Sequence, residues 1–168
     1  MCNLHIYIIK FICYYIVEGG ENLNEILFSR NTDHWTTPKD IYNYFINEKK
    51  CIDPCPFMCK ENNLIKLYDE DLFINPPYSK INEWVEFIIN QLKHNDITIY
   101  LLIPTRTDTK YFYKLMKQRF HYDLYFIKGR LKFSGANSAP FPSVLIKITN
   151  HYELINTYFI TQKEILEI

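Results

Sequence analysis

The chain has 168 residues, of which 48% are hydrophobic and 23% are charged, enough apolar sequence for one domain with a single core. This composition excludes a disordered, collagen-like or coiled-coil chain. Lysine plus arginine and aspartate plus glutamate each number 19, so the formal net charge is zero and any attraction to a polyanion must be local.

The first predicted element is an apolar run over residues 4–17, interrupted only by His5 and Lys10. Its 14 residues are too few to span a bilayer, and no small-residue cleavage site of a secretory signal follows it. We interpret residues 1–22 as an apolar extension laid on the domain as a helix or strand. The alternative is an upstream segment that the function does not need.

After this run the hydrophobic periodicity alternates between helix and strand, which predicts an α/β domain over residues 23–150. Thr37 is a candidate helix cap and Pro38 suits the first helical position, before apolar residues at Ile41, Tyr44 and Phe45. We therefore predict that a helix begins at this point.

The cysteines that follow do not suit a disulfide framework, because five is an odd number and three of them, Cys51, Cys55 and Cys59, lie within nine residues. A reducing compartment, the host or bacterial cytoplasm, fits better. Clustered thiolates can bind zinc or iron–sulfur clusters, but the spacing is wide and Pro54 and Pro56 keep the thiols off one helical face. We expect no metal site.

Strands and helices alternate along the rest of the chain: strands at 50–53, 72–74, 97–103 and 122–127, helices from 82 and over 110–120. The run 97–103 is nearly all β-branched and aliphatic, which is typical of a strand buried on both faces of a parallel sheet. Residues 130–133 and 143–148 are predicted as antiparallel strands flanking a long loop. The tail, 151–168, is predicted as a helix.

Residues 106–132 carry a local basic excess, with eight basic side chains against two acidic ones. Such a stretch can lie against a polyanion, although a solvated helix face has a similar count. On charge alone the solvated face is the better interpretation.

The most informative motif is Asn75-Pro76-Pro77-Tyr78, which directly follows a predicted strand. Ligands of open α/β sheets bind outside the carboxyl ends of strands, so the motif lies where a site is expected. The alternative is a rigid loop in which two prolines end the strand. We favour the functional interpretation because the residue types suit one chemistry.

That chemistry concerns a flat exocyclic amine, whose electron pair is delocalised into the ring and attacks poorly. The Asn75 side-chain oxygen and the Pro76 carbonyl can accept its two N–H hydrogens, which pulls the nitrogen toward sp³ geometry and frees the pair. Tyr78 offers a ring on which an extruded base stacks. Orientation and electrostatics would then be enough for direct displacement at a methyl donor.

These residues, with others in the same order, resemble the phage-type DNA N6-adenine methyltransferases that use S-adenosylmethionine. The resemblance covers residues 24–148. The five motifs that carry it are, in chain order, Asp33-His34-Trp35-Thr36-Thr37-Pro38, Asp53-Pro54-Cys55, Asn75-Pro76-Pro77-Tyr78-Ser79, Pro104-Thr105-Arg106-Thr107-Asp108-Thr109 and, as the fifth, Gly129-Arg130-Leu131-Lys132-Phe133 together with Ala139-Pro140-Phe141-Pro142-Ser143. The order of five motifs is more specific than any one of them.

The resemblance implies a compact Rossmann-like α/β methyltransferase fold: a mostly parallel sheet with a terminal antiparallel strand and helices on both faces. It also implies site roles, which are catalysis for Asn75, Pro76, Pro77 and Tyr78, binding of S-adenosylmethionine for Trp35, Thr37, Pro38, Asp53, Pro54 and Cys55, and DNA contacts for Ser79, Arg106, Asp108, Arg130 and Lys132. No glycine lies between Gly20 and Gly129, so the glycine-rich cofactor loop of the wider methyltransferase class is missing.

The partner implied by the resemblance is double-stranded DNA with its target adenine flipped out, bound by a monomer that needs neither a metal nor a membrane. Protection of a mobile element's DNA from restriction is the biological role that the resemblance suggests.

Two alternative functions and two alternative residue roles stay open at this point. The same acceptors suit another planar amine, such as an RNA adenine or a protein glutamine amide. A non-catalytic nucleic-acid-binding module on this fold is a different class of function, and cofactor binding distinguishes it. At the residue level, Arg106 and Asp108 either face the cleft or pair with each other, and Arg130 and Lys132 either contact phosphates or form a solvated edge.

Overall fold

A computed structural model describes residues 35–56, 64–133, 138–151 and 154–168, which form a sheet with helices packed on it. Its strands are β1 (Leu72–Ile74), β2 (Ile99–Pro104), β3 (His121–Ile127), β4 (Ser143–Thr149) and β5 (Leu154–Ile160). Its helices are α1 (Lys39–Asn43), which continues as a π-helix (Tyr44–Glu48), α2 (Ile81–His94) and α3 (Lys110–Met116), with short 3-10 helices at Tyr78–Lys80 and Lys163–Glu167.

The strand order in the sheet is β1-β2-β4-β3-β5. β1 pairs parallel with β2 and β3 pairs parallel with β5, while β4 is antiparallel to both β2 and β3. Four strands therefore run one way and β4 runs the other. The predicted α/β fold with a mostly parallel sheet is confirmed, and the antiparallel strand lies inside the sheet, not at its edge.

Side chains alternate between the two faces of each strand, and each face is covered by helix. On one face, the Phe45 ring of the π-helix stacks on Phe73 of β1 at 4.5 Å between ring centroids and lies against Tyr100 of β2. On the other face, the Tyr122 hydroxyl of β3 donates to the Leu115 carbonyl of α3. Helices on both faces, as predicted, bury β2 completely.

The crossover helices determine where the functional residues lie. α2 leads from the carboxyl end of β1 to β2 and buries the predicted apolar stripe that includes Trp84, Ile88 and Leu92. α3 leads from the carboxyl end of β2 to the amino end of β3. The carboxyl ends of β1, β2 and β3 and the first residue of β4 consequently share one side of the sheet, here named the carboxyl edge.

Three predicted elements are wrong or reduced. Residues 50–53 contribute only a parallel bridge between Ile52 and Leu72, and residues 130–133 contribute only a bridge between Lys132 and Ser138. The tail is a strand where we predicted a helix, because its β-branched and aromatic residues pair with β3 along their whole length. Only its last turn is helical, and that turn buries Ile165.

The predicted extension over residues 1–22 lies outside the described residues. None of the described helices combines the length and apolar character needed to cross a membrane.

Candidate active site at the carboxyl edge

The Asn75-Pro76-Pro77-Tyr78 loop leaves the carboxyl end of β1, as predicted. Pro76 is buried, and the Pro77 carbonyl accepts a hydrogen bond from the Lys80 amide at 2.9 Å, which begins the short helix Tyr78–Lys80. The prolyl backbone and this bond give the loop a stiff course. Ser79, a predicted DNA contact, lies on this short helix and is exposed.

The Asn75 amide is oriented by two contacts with the segment before α1. Its Nδ2 donates to the Trp35 carbonyl at 2.8 Å and to Thr37 Oγ1 at 2.9 Å. Because a backbone carbonyl can only accept, the atom that faces Trp35 must be the nitrogen. Oδ1 is buried and has no hydrogen-bond partner among the described residues. The amide therefore presents a fixed acceptor that lacks a donor.

Thr37 does not cap α1, contrary to our prediction. No side-chain bond caps this helix; Pro38 occupies the cap position, and its carbonyl accepts from the Tyr42 amide at 2.9 Å. The Thr37 hydroxyl instead accepts a hydrogen bond from the amide of Asn75, which lies 38 residues further along the chain. Trp35, Thr37 and Pro38, predicted to bind cofactor, thus lie beside the loop after β1, while Asp33 and His34 lie outside the described residues.

Four buried side-chain oxygens without a described hydrogen-bond partner lie at the carboxyl edge: Asn75 Oδ1, Tyr78 Oη, Thr105 Oγ1 and Ser143 Oγ. Thr105 directly follows β2 and is 8% exposed; Ser143 begins β4 beside Pro104 and is 1% exposed. Leaving a buried polar group unpaired costs about 1–3 kcal/mol, so these oxygens mark a place where a bound ligand or water would supply the missing partners.

Sequence reasoning did not select Thr105 or Ser143, although both stand in quoted motifs beside Pro104 and Pro142. Hydroxyl residues are common, so only burial without a partner distinguishes these two from the rest.

Aromatic side chains line the same edge. The Phe141 ring meets Tyr78 edge-on at 5.3 Å and Trp35 edge-on at 5.3 Å between centroids, and Trp35 also packs on Phe133 at 5.4 Å. Burial raises the pKa of Tyr78 well above its ordinary value. Its phenol is therefore a neutral hydrogen-bond donor, and its ring belongs to a wall suited to a planar ligand.

The Asp53-Pro54-Cys55 segment reaches the carboxyl edge because Ile52 is bridged in parallel to β1. Asp53 Oδ1 accepts from the Cys55 amide at 2.8 Å. Burial nevertheless raises the pKa of Asp53 to about 6, so the desolvation of its carboxylate outweighs that hydrogen bond. A bound cation would stabilise the charged form.

The cysteines near this segment are core residues. Cys51 and Cys55 are buried thiols, and burial raises the pKa of Cys51 to about 12. Cys59 lies outside the described residues. Across residues 35–56, 64–133, 138–151 and 154–168, no group of three His, Cys, Asp or Glu side chains could hold a metal ion.

Arg106 and Asp108 do not form an ion pair with each other in the described structure. Arg106 is half-buried and Asp108 is exposed. Burial raises the pKa of Tyr78 and of Tyr111, and the Arg106 guanidinium partly offsets both shifts. Arg106 therefore lies near the motif loop, as the cleft interpretation expects.

The basic side chains of residues 106–132 are divided between the carboxyl edge and the opposite side of the sheet, where the four parallel strands begin. Arg130 and Lys132 follow β3 at the carboxyl edge and are exposed, alternating with buried Leu131 and Phe133 without forming a strand. Lys117 and Arg119 follow α3 at the opposite edge of the sheet. Only part of the local charge is therefore near the candidate site.

Most of the chain matches one known protein family. A family model described as DNA N-6-adenine-methyltransferase (Dam) matches residues 26–146. Comparison with curated proteins gives no match. One similar solved structure is described as a predicted O-methyltransferase, protein Atu636 from Agrobacterium tumefaciens, with 12% identity and a TM-score of 0.39. The match covers 66% of this chain and 50% of that one, so the chain spans half of that protein's length.

Proposed function

The chain belongs to the DNA N-6-adenine-methyltransferase family, and from this premise we propose that it transfers the methyl group of S-adenosylmethionine to N6 of an adenine in DNA. The observation that carries the proposal is the Asn75 amide, which is held by Trp35 and Thr37 with a buried, unpartnered Oδ1.

Asn75 Oδ1 would accept one N6 hydrogen and the Pro76 carbonyl the other. With both hydrogens held in tetrahedral directions, the N6 electron pair would lose its conjugation with the ring and become available to the methyl carbon. The N6–C bond would form as the C–S bond breaks with its electrons going to sulfur, and the extra N6 proton would pass to solvent. S-adenosylmethionine supplies an electrophilic methyl on a positively charged sulfur, so the step needs no protein nucleophile.

The residues at the carboxyl edge suit such a cofactor. S-adenosylmethionine carries a cationic ammonium as well as the sulfonium, and Asp53 is a desolvated carboxylate whose charged form is only partly stabilised by the Cys55 amide. Asp53, with Pro54 and Cys55 behind it, would hold the cationic amino acid end. Trp35, Thr37 and Pro38 would contact the cofactor from the side of α1.

The target base would enter at Tyr78 and stack on the aromatic wall, an interaction worth about 1–3 kcal/mol per base. The unpartnered hydroxyls of Thr105 and Ser143 would donate to polar atoms of the flipped nucleotide. Arg106, Arg130 and Lys132, with Ser79 and Asp108 near them, would contact the DNA around the flipped base.

The test is the identity of the methylated product. The purified chain is incubated with labelled S-adenosylmethionine and unmethylated duplex DNA, single-stranded RNA or a glutamine-containing protein, and the nucleosides and amino acids are then analysed. We expect N6-methyladenine from DNA. Label only in RNA or in protein would contradict the substrate, and the absence of a calorimetric signal with S-adenosylmethionine would indicate a non-catalytic binding module.

A further inference from the structure

β5 forms one edge of the sheet, and among the described residues only β3 pairs with it. Its sequence, Leu-Ile-Asn-Thr-Tyr-Phe-Ile, has no charged residue, no proline and no glycine. Edge strands of monomeric proteins commonly carry charged residues or proline because these prevent pairing with another chain. β5 lacks this protection.

Apolar side chains of β5 are exposed on both faces of the sheet. Leu154 and Tyr158 are 44% and 42% exposed on one face, and Ile155 and Phe159 are 38% and 75% exposed on the other. Rings of β5 also stack on rings of β3, which fixes the strand at the edge. The exposed surface is therefore a regular apolar strand.

The direction of the free backbone groups follows from one hydrogen bond. The Lys128 amide donates to the Ile160 carbonyl at 2.7 Å, so the Ile160 carbonyl points toward β3. Successive residues of a strand direct their backbone polar groups to opposite sides. The N–H and C=O groups of Ile155, Thr157 and Phe159 therefore point to the open side.

We propose that the open side of β5 binds β5 of a second copy of this chain, antiparallel and about a two-fold axis at Thr157. This register pairs Thr157 with itself and Ile155 with Phe159, so every outward backbone group finds a partner. It also pairs Leu154 with Ile160, so apolar side chains meet apolar ones.

The occupant is a second copy because β5 is complementary to itself. Antiparallel strands alternate between hydrogen-bonded and non-hydrogen-bonded pairs, so a two-fold axis can pass through either kind of pair. An axis at Thr157 is the one that pairs all seven residues of β5. No like charges meet across this interface, and the zero net charge of the chain produces no repulsion between copies.

This dimer places the two carboxyl edges on opposite sides of one continuous sheet, because β5 runs parallel to β1, β2 and β3. Each candidate site then works alone. The inference does not depend on the proposed function, and a monomeric variant keeps its methyl transfer per chain.

The first test is the mass of the full chain by sedimentation between about 1 and about 200 µM, since an interface of this size gives weak association. We expect the mass to rise toward twice the 20.3 kDa of one chain. Thr157→Lys places two cations at the axis and keeps the mass at 20.3 kDa. Asn90→Lys, the same change in charge on the exposed face of α2, dimerises like the unsubstituted chain.

The second test concerns the register and uses a chain in which Cys2, Cys13 and Cys59 are replaced by serine. Thr157→Cys in this chain forms a disulfide-linked dimer under mild oxidation, because paired residues lie about 5.5 Å apart between Cα atoms. Ile155→Cys, which does not face itself, does not. A chain that stays monomeric throughout, a dimer that Thr157→Lys leaves intact, or equal cross-linking of both cysteine variants would overturn the proposal.

Discussion

Asn75 illustrates how a single side chain acquires a role from its neighbours. Its amide nitrogen donates twice to the segment before α1, so its oxygen cannot turn away from the carboxyl edge. An acceptor held in advance acts on a developing charge without reorganisation, which is the main source of electrostatic catalysis. The sequence showed that an asparagine stands at this position, but it did not show the two hydrogen bonds that hold the amide.

Thr37 tests this support. Thr37→Val keeps the shape of the side chain and removes the acceptor for Asn75 Nδ2, and we expect the turnover rate to fall about 10-fold because the amide is held less firmly. Thr37→Ser, which restores the acceptor for Asn75, should restore the rate, whereas any loss of S-adenosylmethionine affinity in Thr37→Val measures the contact of Thr37 with the cofactor. Thr36→Val, at the exposed neighbouring position, is the matched control. Equal rates for Thr36→Val and Thr37→Val would exclude this positioning role.

Asp53 gives a prediction about pH. Its folded-state pKa of about 6 lies above the ordinary 3.8, so the folded protein binds more protons than the unfolded chain between these values. This contribution to stability is full below about pH 4 and is lost as the pH rises through about 6. Asp53→Asn, which keeps the acceptor for Cys55, should raise the free energy of unfolding at pH 7 by up to about 3 kcal/mol.

The measurement is urea unfolding of both chains between pH 4 and pH 8, with Asp108→Asn, at a more exposed carboxylate, as the control. We also expect Asp53→Asn to bind S-adenosylmethionine more weakly, since a neutral amide cannot compensate a cation. Parallel stability curves for Asp53→Asn and the unsubstituted chain would show that Asp53 is not desolvated.

At the scale of elements, the sequence predicted those whose pattern is local. An uninterrupted apolar run indicated β2, because a strand buried on both faces is apolar at every position. Apolar residues at helical spacing indicated α2, because a helix buried on one face repeats its apolar positions every three to four residues. β5 was predicted wrongly because its mixed polar and apolar pattern does not show that it pairs with β3. The hydrogen bond between Asn75 and Thr37 was likewise hidden, since it joins residues 38 apart in the chain.

The packing of the π-helix on the sheet has a measurable strength. Phe45 is fully buried between Phe73 and Tyr100, so Phe45→Ala should lower the free energy of unfolding by about 3–5 kcal/mol. Tyr113→Ala, at a ring that is 67% exposed on α3, should cost less than about 0.5 kcal/mol. Similar denaturation midpoints for the two variants would contradict the described core.

The two ends of the basic stretch should differ in DNA binding. Replacing Arg130 and Lys132 by alanine should weaken DNA binding and reduce the slope of log affinity against log salt by up to about 0.9 for each phosphate that these side chains neutralise. Replacing Lys117 and Arg119, at the opposite edge, removes the same charge and should leave the slope unchanged. Fluorescence anisotropy with one duplex at several salt concentrations measures both, and equal slopes for the two variants would refute the assigned DNA face.

At the scale of the whole molecule, a neutral chain concentrates unpartnered polar groups at one edge of the sheet. The family and the α/β fold were predictable from the sequence. A family model matches residues 26–146, and the hydrophobic periodicity alternates between helix and strand. The proximity of Thr105 and Ser143 to the motif loop was not, since it depends on the end of β2 lying beside the start of β4. The site is thus a product of topology as much as of its motif.

The most direct test of the role of Asn75 is single-turnover methyl transfer by Asn75→Ala, measured at saturating DNA and S-adenosylmethionine beside Asn90→Ala on the exposed face of α2. We predict that the rate of Asn75→Ala falls at least about 100-fold while its affinity for S-adenosylmethionine stays within a few-fold, as expected when one preorganised polar group is removed from a reacting centre. A rate for Asn75→Ala within a few-fold of that of Asn90→Ala would contradict the account.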